Sequence, residues 1–253
     1  MILKGLVVVS YVAMLVMNTL ANTLPLGGRT TGDVSAQYPS LFTPVGLTFS
    51  IWGLIYLVLG VGVVFYVFGL YDVTSEVTTL FAWVFIVSSV LNVLWLVAWH
   101  YDYIVLSTVV MVVLFGVLLV GFLFIPSSYI WFKVPFSLYF AWICVALIAN
   151  VTIMFVAIDM PRLGLSDATW TVIVLIIAGA IGLATIYLRS DVVFGLVFMW
   201  AFYGILTRHI SQTGEGLNMA YPQVVSVAGV LLLALIAMNI YVYIMNQMQV
   251  FEG

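Results

Sequence analysis

Long apolar runs constrain this chain more than any other feature of its sequence. Each run is close to or longer than the ~20 residues that an α-helix needs to cross the hydrocarbon core of a bilayer. The runs are Ile2–Thr23, Val45–Leu70, Val77–Trp99, Tyr103–Ile125, Trp131–Ile158, Ala168–Tyr187, Val192–Thr207 and Gln223–Met245. Backbone polar groups in lipid must be paired within the segment, so runs this uniformly apolar predict helices and not barrel strands. We predict an all-α, polytopic membrane helix bundle of about eight transmembrane helices.

The composition supports the same environment. Only 6% of the 253 residues are charged, against roughly a quarter in a soluble domain. The net charge of −3 gives no reason to expect nucleic acid as a partner. We expect an integral, multi-pass protein of the cell (plasma or inner) membrane, with the lipid bilayer as its partner. The positive charges divide evenly between the two sides and so do not indicate the orientation.

Ionisable residues are nearly absent from the middles of the runs. Pumps and ion-coupled carriers mark their pathways with such residues. His100 and His209 lie at the ends of runs and have no neighbouring cluster of metal-ligating residues, which is typical of interfacial residues. The sequence shows no nucleophile–base pair and no phosphate-binding loop. We therefore expect no catalytic residue, no metal, no cofactor and no enzymatic activity.

Three of the runs carry large aromatic residues on one helical face with small or polar residues. Residues at steps of three and four share a face of a helix. The stripes are Trp52–Tyr56–Gly60, Asn92–Trp95 and Trp142–Ala146–Asn150. One interpretation is ordinary helix packing, with asparagines that form interhelical hydrogen bonds. The other is a shared, aromatic-lined pocket for a small molecule, in which the asparagines orient the ligand.

The stripes also carry a family resemblance. On the second, third and fifth runs, the chain resembles the translocator protein family, also called the tryptophan-rich sensory proteins (TspO/MBR) or peripheral benzodiazepine receptors. The matching residues are Pro39, Pro44, Trp52, Tyr56 and Gly60, then Leu91, Asn92 and Trp95, then Tyr139, Trp142, Ala146 and Asn150. The three signatures occur in the family's order.

The resemblance implies a translocator-like bundle of five helices over residues 1–157. Its apolar pocket would be covered by the loop between the first two helices, and members often form homodimers. Carried over, the ligand-binding residues would be Trp52, Tyr56, Asn92, Trp95, Tyr139, Trp142, Ala146 and Asn150, and the lid would include Arg29, Pro39 and Pro44. Residues 158–253 would form an additional three-helix transmembrane extension, for which the resemblance supplies no counterpart.

We therefore expect a membrane receptor or carrier that binds an apolar ring-shaped ligand of the porphyrin (tetrapyrrole) or sterol class, for sensing or transport. The alternative is a secondary transporter of a small neutral solute, which a chain of about eight helices suits better than a five-helix receptor does. A third hypothesis, degradation of a bound tetrapyrrole, depends on the family resemblance alone.

Overall fold

The computed structural model describes residues 1–24, 28–70, 72–161, 164–213 and 216–252, and these residues are mainly helical. The elements are α1 (Ile2–Thr23), α2 (Thr31–Gln37), a 3₁₀ segment (Gly46–Ser50), α3 (Ile51–Phe68), α4 (Ser75–His100), α5 (Ile104–Phe124), α6 (Ile130–Ala157), α7 (Asp167–Arg189), α8 (Val192–Arg208), β1 (Ile210–Thr213), β2 (Gly216–Met219) and α9 (Pro222–Glu252).

The long helices confirm the predicted polytopic helical bundle. Within the described residues, seven helices are long and apolar enough to cross a membrane. The seventh predicted span, Val192–Thr207, forms α8, which has 17 residues and a length of about 25 Å at 1.5 Å per residue. After α8 the chain makes a short antiparallel hairpin, in which Ile210 of β1 lies opposite Met219 of β2. This hairpin is not among the elements predicted from the sequence.

The chain divides into two compact units. The first unit contains Met1–Pro39 and Ile51–Ile158, and the second contains Ser40–Ser50 and Asp159–Gly253. Residues 40–50 thus group with the C-terminal helices, although they precede α3 in the chain. Of the lid residues implied by the resemblance, Arg29 and Pro39 lie in the first unit and Pro44 lies in the second.

In the first unit, five long helices form a closed ring of neighbours. The order around the ring is α1, α4, α5, α6 and α3, with α3 packing back against α1. The short helix α2 packs on α4. The interior of the ring is therefore lined by faces of all five helices, and it contains large, fully buried side chains such as Phe85, Phe136 and Trp142.

In the second unit, α9 packs on both α7 and α8. Residues 40–50 run along α8, where the Val45 N–H donates to the Gly204 carbonyl at 3.0 Å and Trp200 Nε1 donates to the Thr48 carbonyl at 2.9 Å. Gly204 has no side chain, and Thr48 lies directly against it. These contacts explain why residues 40–50 belong to the second unit.

Candidate functional site

Five aromatic residues from three helices meet around Trp52. The indole of Trp52 stacks on Tyr56 with ring centroids 5.5 Å apart and lies 6.4 Å from Trp95. Tyr139 and Trp142 present their edges to it at 6.0 Å and 6.1 Å. These separations lie within the range of favourable aromatic pairs. We refer to Trp52, Tyr56, Trp95, Tyr139 and Trp142 as the aromatic cluster.

Helical spacing supplies the two pairs that are closest in sequence. Trp52 lies in the first turn of α3 and Tyr56 lies one turn later, so both rings project from the same face. Tyr139 and Trp142 are three residues apart on α6, which also puts them on one face. Trp95 lies near the C-terminal end of α4. A short connection joins α3 to α4, so the two helices run in opposite directions. The start of α3 therefore lies near the end of α4, where Trp52 contacts Trp95.

A chain of side-chain amides runs beside the cluster. Asn18 Nδ2 donates to the Met14 carbonyl at 2.9 Å and to Asn92 Oδ1 at 2.7 Å. Asn92 Nδ2 in turn donates to the Tyr139 hydroxyl at 3.1 Å. Asn92 is completely buried. We refer to Asn18, Asn92 and the Tyr139 hydroxyl as the amide relay; it links α1, α4 and α6.

The aromatic cluster also contains buried polar atoms without a hydrogen bond to any described residue. They include the hydroxyl of Tyr56 and Nε1 of Trp95. An unsatisfied buried donor costs about 1–3 kcal/mol, and native structures contain few of them. Their position within one ring of aromatic side chains is a feature of ligand-binding sites.

Gly60 allows α1 to approach α3 directly below the cluster. A Cβ at Gly60 would stand 3.0 Å from Cζ of Tyr11 and closer still to the Tyr11 hydroxyl oxygen. That hydroxyl donates to the Tyr56 carbonyl at 2.9 Å. The glycine at the end of the α3 stripe therefore makes room for a side chain of α1, and this contact holds the turn of α3 that carries Tyr56.

Residues before and within α2 form an ion pair and hydrogen bonds with residues at and just after the end of α4. Arg29 forms an ion pair with Asp102 at 2.7 Å and donates to the His100 carbonyl at 3.2 Å. Trp99 Nε1 donates to the Thr31 carbonyl at 3.2 Å. The Trp99 indole stacks on Trp95, with centroids 5.9 Å apart. The start of the predicted lid thus contacts the aromatic cluster through Trp99.

Most of the predicted ligand-binding residues lie together. The six that the structure brings together are Trp52, Tyr56, Asn92, Trp95, Tyr139 and Trp142. Asn150 is different, because its Oδ1 accepts hydrogen bonds from Ser107 and Thr108 of α5. Ala146 lies half-buried on α6, one turn after Trp142. The ligand-binding role of all eight residues stays a prediction.

Sequence reasoning missed two contributors from α1. Tyr11 was not identified, because a single tyrosine in an apolar run gives no signal of its contact with Gly60. Asn18 is one of the asparagines inside apolar runs, which predict either interhelical hydrogen bonds or groups that orient a ligand, but it is not among the predicted site residues. Its partner Asn92 lies 74 positions away in the chain, and no helical spacing relates the two.

Comparison with known proteins identifies the family. A family model described as TSPO-like protein matches residues 4–242. This chain belongs to the TSPO-like family. The match confirms the resemblance carried by the aromatic stripes, and it also includes the helices after residue 158, which the resemblance left without a counterpart. No curated protein and no solved structure matches the chain.

Family membership and the span-length helices together establish an integral, multi-pass membrane protein in contact with the lipid bilayer. An apolar, aromatic-rich interior in a TSPO-like chain fits a membrane protein that binds a ligand.

Proposed function

We propose that this TSPO-like protein is a membrane receptor or carrier for a flat, apolar, ring-shaped ligand of the porphyrin class, which binds at the aromatic cluster without covalent chemistry. One observation carries this function: the Trp52 indole has four aromatic neighbours from three helices within 6.4 Å. A flat conjugated ring can stack on such faces, and each aromatic pair contributes about 0.5–1.5 kcal/mol beyond the burial of its area.

The rings of the cluster touch one another, so a ligand must replace some of these contacts. The widest of the four separations is between Trp52 and Trp95, at 6.4 Å. A macrocycle that enters there exchanges one indole–indole contact for two indole–macrocycle contacts. Saturated rings such as sterols bury similar area but gain no stacking energy from these faces. The cluster therefore favours porphyrin over sterol.

The contacts between the region of α2 and the end of α4 also support a binding role. Arg29, Asp102 and Trp99 join the predicted lid to the end of α4 that carries Trp95. Exchange of a ligand through this end of the ring requires α2 to move, which breaks the ion pair between Arg29 and Asp102. Loops and lids that open for a ligand are typically parts of the structure with low local stability.

Tryptophan fluorescence of the purified protein, titrated with a metal-free porphyrin, tests this function. We expect saturable quenching, and we expect Trp142→Leu and Trp95→Leu each to weaken binding about tenfold, the equivalent of one or two lost aromatic contacts. Trp83→Leu is the matched control. Trp83 lies on the same helix as Trp95 but is 53% exposed, so its loss should leave the affinity unchanged.

If all three variants bind the porphyrin with the same affinity as the wild type, the aromatic cluster is not the binding site. The porphyrin absorbance spectrum should keep its intensity during prolonged incubation, since no covalent step is proposed, and a progressive loss would indicate degradation of the ligand. Porphyrin flux in proteoliposomes distinguishes a carrier from a receptor. Flux of small neutral solutes without porphyrin binding would instead favour the secondary transporter.

A further inference from the structure

A single backbone carbonyl determines the direction of every hydrogen bond in the amide relay. The Met14 carbonyl can only accept, so the Asn18 atom that contacts it must be Nδ2. The same Nδ2 contacts Asn92, so the Asn92 atom must be the acceptor Oδ1. The other end of the Asn92 amide is then Nδ2, and it must donate to the Tyr139 hydroxyl oxygen.

This direction leaves the hydroxyl proton of Tyr139 unused. A tyrosine hydroxyl donates one hydrogen bond and accepts others. Here the oxygen accepts from Asn92, and no described residue accepts the proton. The Tyr56 hydroxyl and Trp95 Nε1 also have no acceptor among the described residues. The polar side of the aromatic cluster therefore presents the hydroxyl protons of Tyr139 and Tyr56 and the N–H of Trp95 to a ligand, while Asn92 Oδ1 already accepts from Asn18.

We infer that Asn18 is a positioning residue that keeps the Tyr139 hydroxyl proton available to a ligand, so that the site selects ring-shaped ligands carrying a hydrogen-bond acceptor, a carbonyl or carboxylate oxygen. This selectivity rests on the proposed binding of a ring-shaped ligand at the cluster. A buried donor that is left without an acceptor costs free energy, so a ligand without an acceptor atom binds more weakly. Discrimination of this kind is stronger than discrimination by apolar shape.

Asn18 acts through Asn92 and does not itself belong to the aromatic cluster. Without the Asn18 donor, the Asn92 amide can rotate and present Oδ1 to Tyr139. The Tyr139 hydroxyl then donates to Asn92, and its proton is no longer available to a ligand. Loss of Asn18 should thus change which ligand is preferred, and not the stacking of the ring.

Three porphyrins with the same macrocycle test the selectivity: a dicarboxylic acid, its dimethyl ester and an analogue with only alkyl substituents. The wild-type protein should bind the acid and the ester about tenfold or more tightly than the alkyl analogue, the usual effect of one or two added hydrogen bonds. A tighter acid than ester identifies carboxylate as the favoured acceptor, and equal binding of the two identifies a neutral carbonyl as sufficient; both results support the inference.

Asn18→Ser is the informative variant. A serine hydroxyl can donate its one proton to the carbonyl four residues earlier, so the helix keeps that bond while Asn92 loses its donor. The preference for the acid and the ester should fall to about threefold or less, with the affinity for the alkyl analogue unchanged. Asn239→Ser, a buried asparagine of α9, is the control and should keep the full preference.

Tyr139→Phe provides a second test, which keeps the ring and removes the donor. It should reduce the preference as Asn18→Ser does, and the double variant should show no further loss, because both changes remove the same donor. Equal wild-type affinity for all three porphyrins would overturn the selectivity and leave the proposed function intact, whereas binding of none would overturn the proposed function. If Asn18→Ser weakens all three porphyrins equally, Asn18 has only a structural role and the inference fails.

Discussion

The contact between α1 and α3 gives the sharpest prediction for stability. In Gly60→Ala, the new methyl group would stand 3.0 Å from Cζ of Tyr11, whereas non-bonded carbons prefer about 3.5–4.0 Å. The Tyr11 ring must move by at least about 0.5 Å, which also strains its hydrogen bond to the Tyr56 carbonyl. Overpacking of this kind costs about 1–3 kcal/mol, and the helix preference of alanine returns up to about 1 kcal/mol.

Gly53→Ala is the matched control on the same helix, because a Cβ there meets nothing within 4 Å. It should stabilise the protein by up to about 1 kcal/mol. Reversible unfolding in mixed micelles, followed by tryptophan fluorescence, should therefore separate the two variants by about 1–3 kcal/mol. Removal of the hydroxyl in the double variant Tyr11→Phe/Gly60→Ala should recover part of the loss. If Gly60→Ala is as stable as Gly53→Ala, the described approach of α1 to α3 is wrong.

The charged groups at the helix ends give two further predictions. Burial lowers the pKa of His209, and the adjacent positive charge of Arg208 adds to this effect, while the hydrogen bond to Leu41 opposes it. The unfolded chain then binds the proton more readily than the folded chain, so the free energy of unfolding should fall as the pH drops below about 6.5. His209→Gln should remove that part of the dependence in thermal scans at pH 8 and pH 5.5, and an identical dependence in the variant would contradict this account. In Asp102→Asn, loss of the ion pair to Arg29 should speed amide exchange in α2 at low salt. The ion pair is partly exposed and contributes about 1 kcal/mol at most, so the difference from the wild type should fade in 1 M salt. A difference that persists there would show that the ion pair is not its cause.

Much of the helical architecture could be predicted from the sequence, because lipid requires backbone groups to be paired within each segment. Spacing alone also placed Trp52 with Tyr56 on α3 and Asn92 with Trp95 on α4. The meeting of these stripes around Trp52 was a hypothesis from three local patterns, and it depends on the order of the helices around the ring. Nothing in a linear pattern sets that order.

Contacts between distant positions could not be predicted. Arg208 donates to the Ser40 carbonyl across 168 positions, and Trp200 donates to the Thr48 carbonyl across 152 positions. Both contacts use backbone carbonyls, which every residue type possesses, so the sequence of residues 40–50 carries no sign of its association with α8. The sequence instead predicts that the segment up to Pro44 belongs to the lid and that the second span begins at Val45.

Structure determination of the protein with a bound metal-free porphyrin tests the central claim most directly. We expect the macrocycle to lie against the indole of Trp52, with Trp95 or Trp142 on another side and an acceptor oxygen of the ligand within hydrogen-bond distance of Tyr139. A macrocycle bound elsewhere, with the Trp52 ring still in contact with its four aromatic neighbours, would contradict it.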